Sequence, residues 1–161
     1  MKESINSEIK NTDPKNFISI GGKVDKARVS LRFFGDDLNP DEVTHLLDCQ
    51  PTEAHKKDDV VPSKFNPRIV KTGTWLLSFS KKSEEDLEGQ ISQLLDQLPK
   101  NLEIWQNLTR RFDSDIYCGA WLKAWNRDVW LSAGLLSKLS DRGLNLGMAI
   151  YCDGEDDEEE E

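Results

Sequence analysis

The absences in this chain narrow the question before any motif is considered. No apolar run approaches the roughly 20 residues that a membrane-spanning helix needs, so no membrane association is expected. Histidine occurs only at His45 and His55, and cysteine only at Cys49, Cys118 and Cys152. A zinc or metallohydrolase centre needs several such ligands converging at bonding distance, and neither a His-x-x-x-His pair nor closely spaced cysteines are present. No metal or cofactor is therefore implied. An odd, scattered cysteine set also gives no disulfide framework, and the three read as reduced thiols that pack as small hydrophobes. Ser30, Ser78 and Ser80 lack the glycines of a nucleophile elbow, and no glycine-rich phosphate loop follows a strand. Asp36 and Asp37 are adjacent acids just before a helix start, where turn and helix-dipole roles are commoner than acid–base chemistry. With no catalytic grouping in view, a non-enzymatic role is expected. The N-terminal residues Lys2, Glu3, Asn6, Glu8 and Lys10 lack the apolar core of a secretory signal, so a cytoplasmic location is expected.

What is present fits one soluble domain of 161 residues, a size at which a single core is ordinary. The net charge of −9 misleads, because Asp153–Glu161 alone carries −8 and the rest only −1. A like-charged run of this kind repels itself and buries nothing, which predicts a disordered acidic tail. At the other end, residues 1–24 show no sustained period and read as a loose leader.

The single domain then spans residues 25–152. Val29, Leu31 and Phe33 alternate with Arg28, Ser30 and Arg32, the period of a half-buried strand. Asn39 is placed to cap a helix from about Pro40 to Asp48, with Glu42 closing a capping box. Residues 52–72 show no period, contain Pro62 and Pro67, and carry Lys56, Lys57, Lys64, Arg68 and Lys71; they read as a long basic loop of the sort that is often functional. A strand over Thr74–Ser80 follows. Ser83 is placed to cap a helix with an apolar stripe through Leu87, Ile91, Leu94, Leu95 and Leu98. Leu102, Trp105 and Leu108 suggest a further helix ending near Arg111. The last elements are a strand over Ile116–Trp125, a helix over about Ser132–Asp141 closed by Gly143, and a strand over Leu144–Tyr151. This order predicts an α+β domain, a ferredoxin-like sandwich with a four-stranded, mainly antiparallel sheet and helices on one face.

Several stretches carry a resemblance to a known family. Leu31-Arg32-Phe33-Phe34-Gly35-Asp36-Asp37-Leu38-Asn39-Pro40-Asp41-Glu42 with Leu46-Leu47 resembles the opening of the bacterial domain of unknown function 4279 family. Gln50-Pro51-Thr52 with Lys56-Lys57-Asp58, Thr74-Trp75-Leu76-Leu77-Ser78, and Gly143-Leu144 with Ile150-Tyr151 are similar to its later segments, so the likeness covers about Ala27 to Tyr151. Members usually place a glycine after the lysine of the charged loop, where this chain has Asp58. The resemblance implies a small bacterial cytosolic domain, with a link to toxin-immunity neighbourhoods, and supplies no catalytic residues.

The functional expectation comes from strand faces. Ile116, Cys118, Ala120, Leu122 and Ala124 suit contact with helices, which leaves Tyr117, Gly119, Trp121, Lys123 and Trp125 on the opposite side. Arg28, Ser30 and Arg32 join that side from the first strand, and Asn145, Gly147, Ala149 and Tyr151 from the last. The expected binding surface is therefore Arg28, Arg32, Tyr117, Trp121, Lys123 and Trp125, with further loop contacts from Lys56, Lys57, Lys64 and Arg68. Exposed tryptophan, tyrosine and arginine dominate binding hot spots, so the expected function is protein binding, of an immunity or regulatory type. The acidic tail would speed encounter with a basic partner, and a homodimer would be another way to cover the aromatic face. Single-stranded nucleic acid stacking on the aromatics is the alternative, disfavoured by the overall negative charge.

Overall fold

A computed structural model describes residues 22–79, 86–124 and 126–152. The chain runs through β1 (Lys26–Gly35), α1 (Pro40–Leu47), β2 (Glu53–His55), β3 (Val60–Val61), β4 (Arg68–Ile69), β5 (Gly73–Ser78), α2 (Leu87–Asp96), α3 (Leu102–Arg111), β6 (Asp113–Leu122), α4 (Ala133–Arg142) and β7 (Asn145–Cys152). The leader over residues 1–21, Ser80, Ser83, Trp125 and the acidic tail at 153–161 lie outside the described residues, as do the expectations attached to them.

β1 is the middle strand of a five-stranded sheet in the order β2-β5-β1-β6-β7. It pairs antiparallel with β5 and β6, β2 pairs antiparallel with β5, and β6 pairs parallel with β7. The α+β class and the single helix-covered face are as expected. The strand count is not, because residues 52–72 supply β2 as an edge strand. The β6-α4-β7 unit also joins two strands that are direct neighbours, whereas the ferredoxin-like plan splits its βαβ units.

The other two short strands of residues 52–72, β3 and β4, pair with each other in a separate ribbon. That segment is therefore not structureless. Its strands are two or three residues long, and Val60, Phe65 and Ile69 are exposed, too short and too little buried to leave an apolar period.

Local chemistry explains the helix boundaries. The Asn39 side chain accepts the Asp41 N–H at 3.2 Å and Pro40 occupies the first helical position. Glu42 does not close the expected capping box. It instead accepts two hydrogen bonds from Arg111 of α3, at 2.6 and 2.9 Å. α2 is capped by Asp86, which accepts the Gly89 N–H at 2.9 Å. Ser132 caps α4, and Gly143 ends it in the left-handed conformation at φ 72°. A Cβ at Gly143 would also meet Thr109 Oγ1 at 2.8 Å, so the close approach of α3 reinforces the conformational demand for glycine.

The core lies between the four helices and one sheet face. Val29, Leu31, Phe33, Trp75, Ile116 and Cys118 come from the sheet and Val43, Ile91, Leu94, Trp105 and Leu108 from the helices. Trp75 is fully buried, meets Phe33 edge-on with centroids 5.9 Å apart, and donates its indole N–H to Thr44 Oγ1 at 3.0 Å. Trp105 donates to the Pro99 carbonyl at 2.7 Å. Both buried indoles thus satisfy their single polar group. Cys118 is fully buried, which places that side of β6 in the core, and this burial pushes its thiol up to about 12. Among the described residues, no helix is long and apolar enough to cross a membrane.

Candidate functional site

The face of the sheet opposite the helices is built by alternation. With Ile116, Cys118 and Ala120 in the core, Asp115, Tyr117, Gly119 and Trp121 must point the other way. The antiparallel register sets Lys26, Arg28, Ser30 and Arg32 beside them on β1, opposite Trp121, Gly119, Tyr117 and Asp115 respectively. The parallel register sets Asn145, Gly147, Ala149 and Tyr151 on their other flank. The expected face assignment therefore holds for Arg28, Arg32, Tyr117 and Trp121.

Two side-chain groups occupy this face. In the first, Arg32 donates from Nε and Nη2 to the two Asp115 carboxylate oxygens at 2.8 and 2.6 Å. Its guanidinium lies 3.8 Å from the Tyr117 ring centroid and 5.3 Å from that of Phe34. The Asp115 carboxylate raises the Arg32 pKa still further. Arg32 is half-buried and fully engaged, so it acts as a fixed clamp on Tyr117.

The second group is differently poised. Trp121 stacks on Tyr151, with centroids 4.9 Å apart and planes 14° from parallel. From the β1 side, Lys26 Nζ lies 5.0 Å and the Arg28 guanidinium 5.7 Å from the indole centroid. No carboxylate among the described residues forms a salt bridge with Lys26 or Arg28. Both are exposed, and Tyr151 is 46% exposed. The surface is thus a stacked aromatic pair edged by two cations that have no anionic partner among the described residues.

Lys123 does not share the strand face as expected, because β6 ends at Leu122. It lies at the same end of the sheet, exposed, with its backbone N–H bonded to Asp25 Oδ2 at 2.8 Å. Arg127 binds that carboxylate too, at 2.9 Å, and holds the Asp25 pKa below its ordinary value.

The basic residues of the ribbon do not gather into one site. Lys57 is paired with Asp36 and Lys56 lies 3.8 Å from Asp41. Lys64 sits 5.8 Å from the Phe65 ring, and Arg68 is exposed on β4 opposite Val61.

A concavity of about 800 Å³ opens between α1 and the segment from Gln50 to Asp59. Its lining includes both histidines, Cys49, Asp41 and Lys56. Among the described residues, no group of three His, Cys, Asp or Glu side chains is arranged to hold a metal. Burial and the neighbouring Asp48 push the Cys49 thiol upward, away from a reactive thiolate.

Three features of the open face escaped sequence reasoning, and two of them had a usable signal. Lys26 precedes Arg28 by two residues and so shares its face, and Asp115 stands in the same relation to Tyr117. The stacking of Tyr151 on Trp121 depends on a parallel register that no single segment reveals.

The sequence profile of a family described as a domain of unknown function (DUF4279) matches residues 25–153, and the chain belongs to that family. No curated protein and no solved structure gives a match. The glycine that the family resemblance implies at position 58 would suit the backbone of this fold. Asp58 adopts φ 70°, the left-handed conformation in which a side chain is strained.

Proposed function

We propose that this member of the DUF4279 family is a non-enzymatic protein-binding module, of an immunity or regulatory type, whose open sheet face takes an acidic segment of a partner protein. The observation that carries this reading is the pair Lys26 and Arg28, held against the Trp121–Tyr151 stack without a carboxylate partner among the described residues. A partner carboxylate would gain charge-assisted hydrogen bonds from both cations. Its flanking apolar groups would cover the aromatic pair, which is already ordered and so loses little side-chain entropy on binding.

The ring geometry favours protein over single-stranded nucleic acid. Base stacking needs an open aromatic face. Trp121 has Tyr151 on one flank and the two cations on the other, and one face of Tyr117 is taken by Arg32.

The test is site-specific photo-crosslinking in the native cell from position 151 on this face and from position 136 on the helical side, where Leu136 is equally exposed. A discrete protein adduct from position 151 alone, weakened by Arg28→Glu, supports the reading. Absence of an adduct, or the same adducts from both positions, rejects it.

A further inference from the structure

We propose that the acidic segment Asp153–Glu161 is an intramolecular ligand of this same face, docking its carboxylates on Lys26 and Arg28 across the Trp121–Tyr151 stack. β7 ends at Cys152, in register with Leu122, while Lys26 stands opposite Trp121 on the other flank of β6. The point where the segment leaves the sheet and the two cations therefore lie at one end of the sheet, two strand spacings or about 10 Å apart. A nine-residue segment spans up to about 30 Å. Tyr151 holds the chain on that face two residues before the first carboxylate. Eight carboxylates then meet two cations that have no anionic partner among the described residues, with Lys123 at the same end.

The other basic surface, the β3–β4 ribbon, is a poorer target. It follows β2 at the opposite edge of the sheet, and Gly73, just after it, is in register with Gly35 at the far end of β1. Four strand spacings and nine residues along a strand put it about 35 Å from Cys152, which only the last residues of a fully extended segment could approach. Two of its cations are also already answered by Asp36 and Asp41.

The consequence, that this segment competes with a partner for the face, rests on the reading above; the docking itself does not. It is tested by amide and indole NMR spectra of the full chain against a full-length variant with every Asp and Glu of residues 153–161 changed to Asn or Gln. The expected result is displacement of the Lys26, Arg28 and Gly119 amides and the Trp121 indole N–H. These shifts should fall by more than about half in 1 M salt, where the Debye length is roughly 3 Å. They should return when a synthetic peptide of residues 153–161 is added to the neutralised variant, and fail to return with Lys26→Glu/Arg28→Glu. Changes confined to residues 148–152 overturn the docking. Docking with no crosslinked partner would leave this inference standing and remove the binding function, and the converse outcome would do the reverse.

Discussion

Trp121 and Tyr151 face each other across the parallel β6–β7 pair, and their stacking is a direct product of register. Residues opposed on neighbouring strands project to the same side, and Gly119 leaves the space into which the indole leans. A Cβ at position 119 would lie 2.8 Å from the indole Cη2. The backbone of β6 thus sets the position of an aromatic pair bordered by two cations without a carboxylate partner among the described residues.

This pair can be dissected without damaging the core. Tyr151→Ala is expected to cost about 0.5–1.5 kcal/mol, the usual worth of an aromatic pair, measured by urea unfolding. Gly119→Ala presses on the tip of a movable side chain rather than on backbone, so the variant should fold while its near-ultraviolet dichroism and tryptophan emission change. Unchanged spectra would mean that the indole does not rest over Gly119.

Thiol reactivity should report the three cysteine environments. Cys152 is exposed, Cys49 is partly buried with its thiol pushed up, and Cys118 is buried with its thiol near 12. Only the thiolate attacks disulfide reagents. At mildly alkaline pH one thiol, Cys152, should react at once, Cys49 more slowly, and Cys118 only on unfolding. Rapid labelling of Cys118 in the native protein would contradict the placement of that β6 side in the core.

Much of this face was legible from the sequence because strand alternation is a local signal. Val29, Leu31 and Phe33 declare one side of β1, and Arg28 and Arg32 follow on the other. Pairing partners are not local, which is why Asp115 as the anchor of Arg32 and Lys26 beside Trp121 emerge only in the fold. Glu42 shows the same limit. Its sequence position suits a capping box, but a long-range guanidinium outcompetes the backbone N–H of Asn39 for the carboxylate. The β2 strand was hidden for another reason: three residues with one inward side chain, Ala54, carry no measurable period.

The Glu42–Arg111 bond makes stability depend on pH in a defined direction. The Arg111 hydrogen bonds hold the Glu42 carboxyl below its ordinary value of 4.5, so the folded state favours the ionised form. The contribution is then complete above the unfolded-state pKa and lost as pH falls through the folded one. Both partners are well exposed, so the pair contributes at most about 1 kcal/mol. Glu42→Gln should lower stability by that amount at neutral pH, and the difference from wild type should close in acid. Asp36, held down by Lys57, loses its stabilisation in the same sense. A gap that persists unchanged to low pH would show that the loss is steric rather than ionic.

Asp58 offers a prediction of opposite sign. It is the third residue of a turn in which the Asp59 N–H bonds the Lys56 carbonyl at 3.3 Å, and its φ of 70° is a conformation that glycine adopts freely. Its own N–H is bonded to the Val70 carbonyl at 2.8 Å, a backbone contact that a substitution keeps. A left-handed L-residue costs about 1–2 kcal/mol, less for aspartate, whereas glycine adds about 0.5–1 kcal/mol of unfolded-chain entropy. The balance favours Asp58→Gly by about 0.5 kcal/mol. Asp58→Val, with a branched side chain that tolerates this region worst, should instead destabilise by about 1 kcal/mol or more. Urea midpoints of the two variants should bracket the wild type, and a glycine variant less stable than the valine one would refute the left-handed assignment.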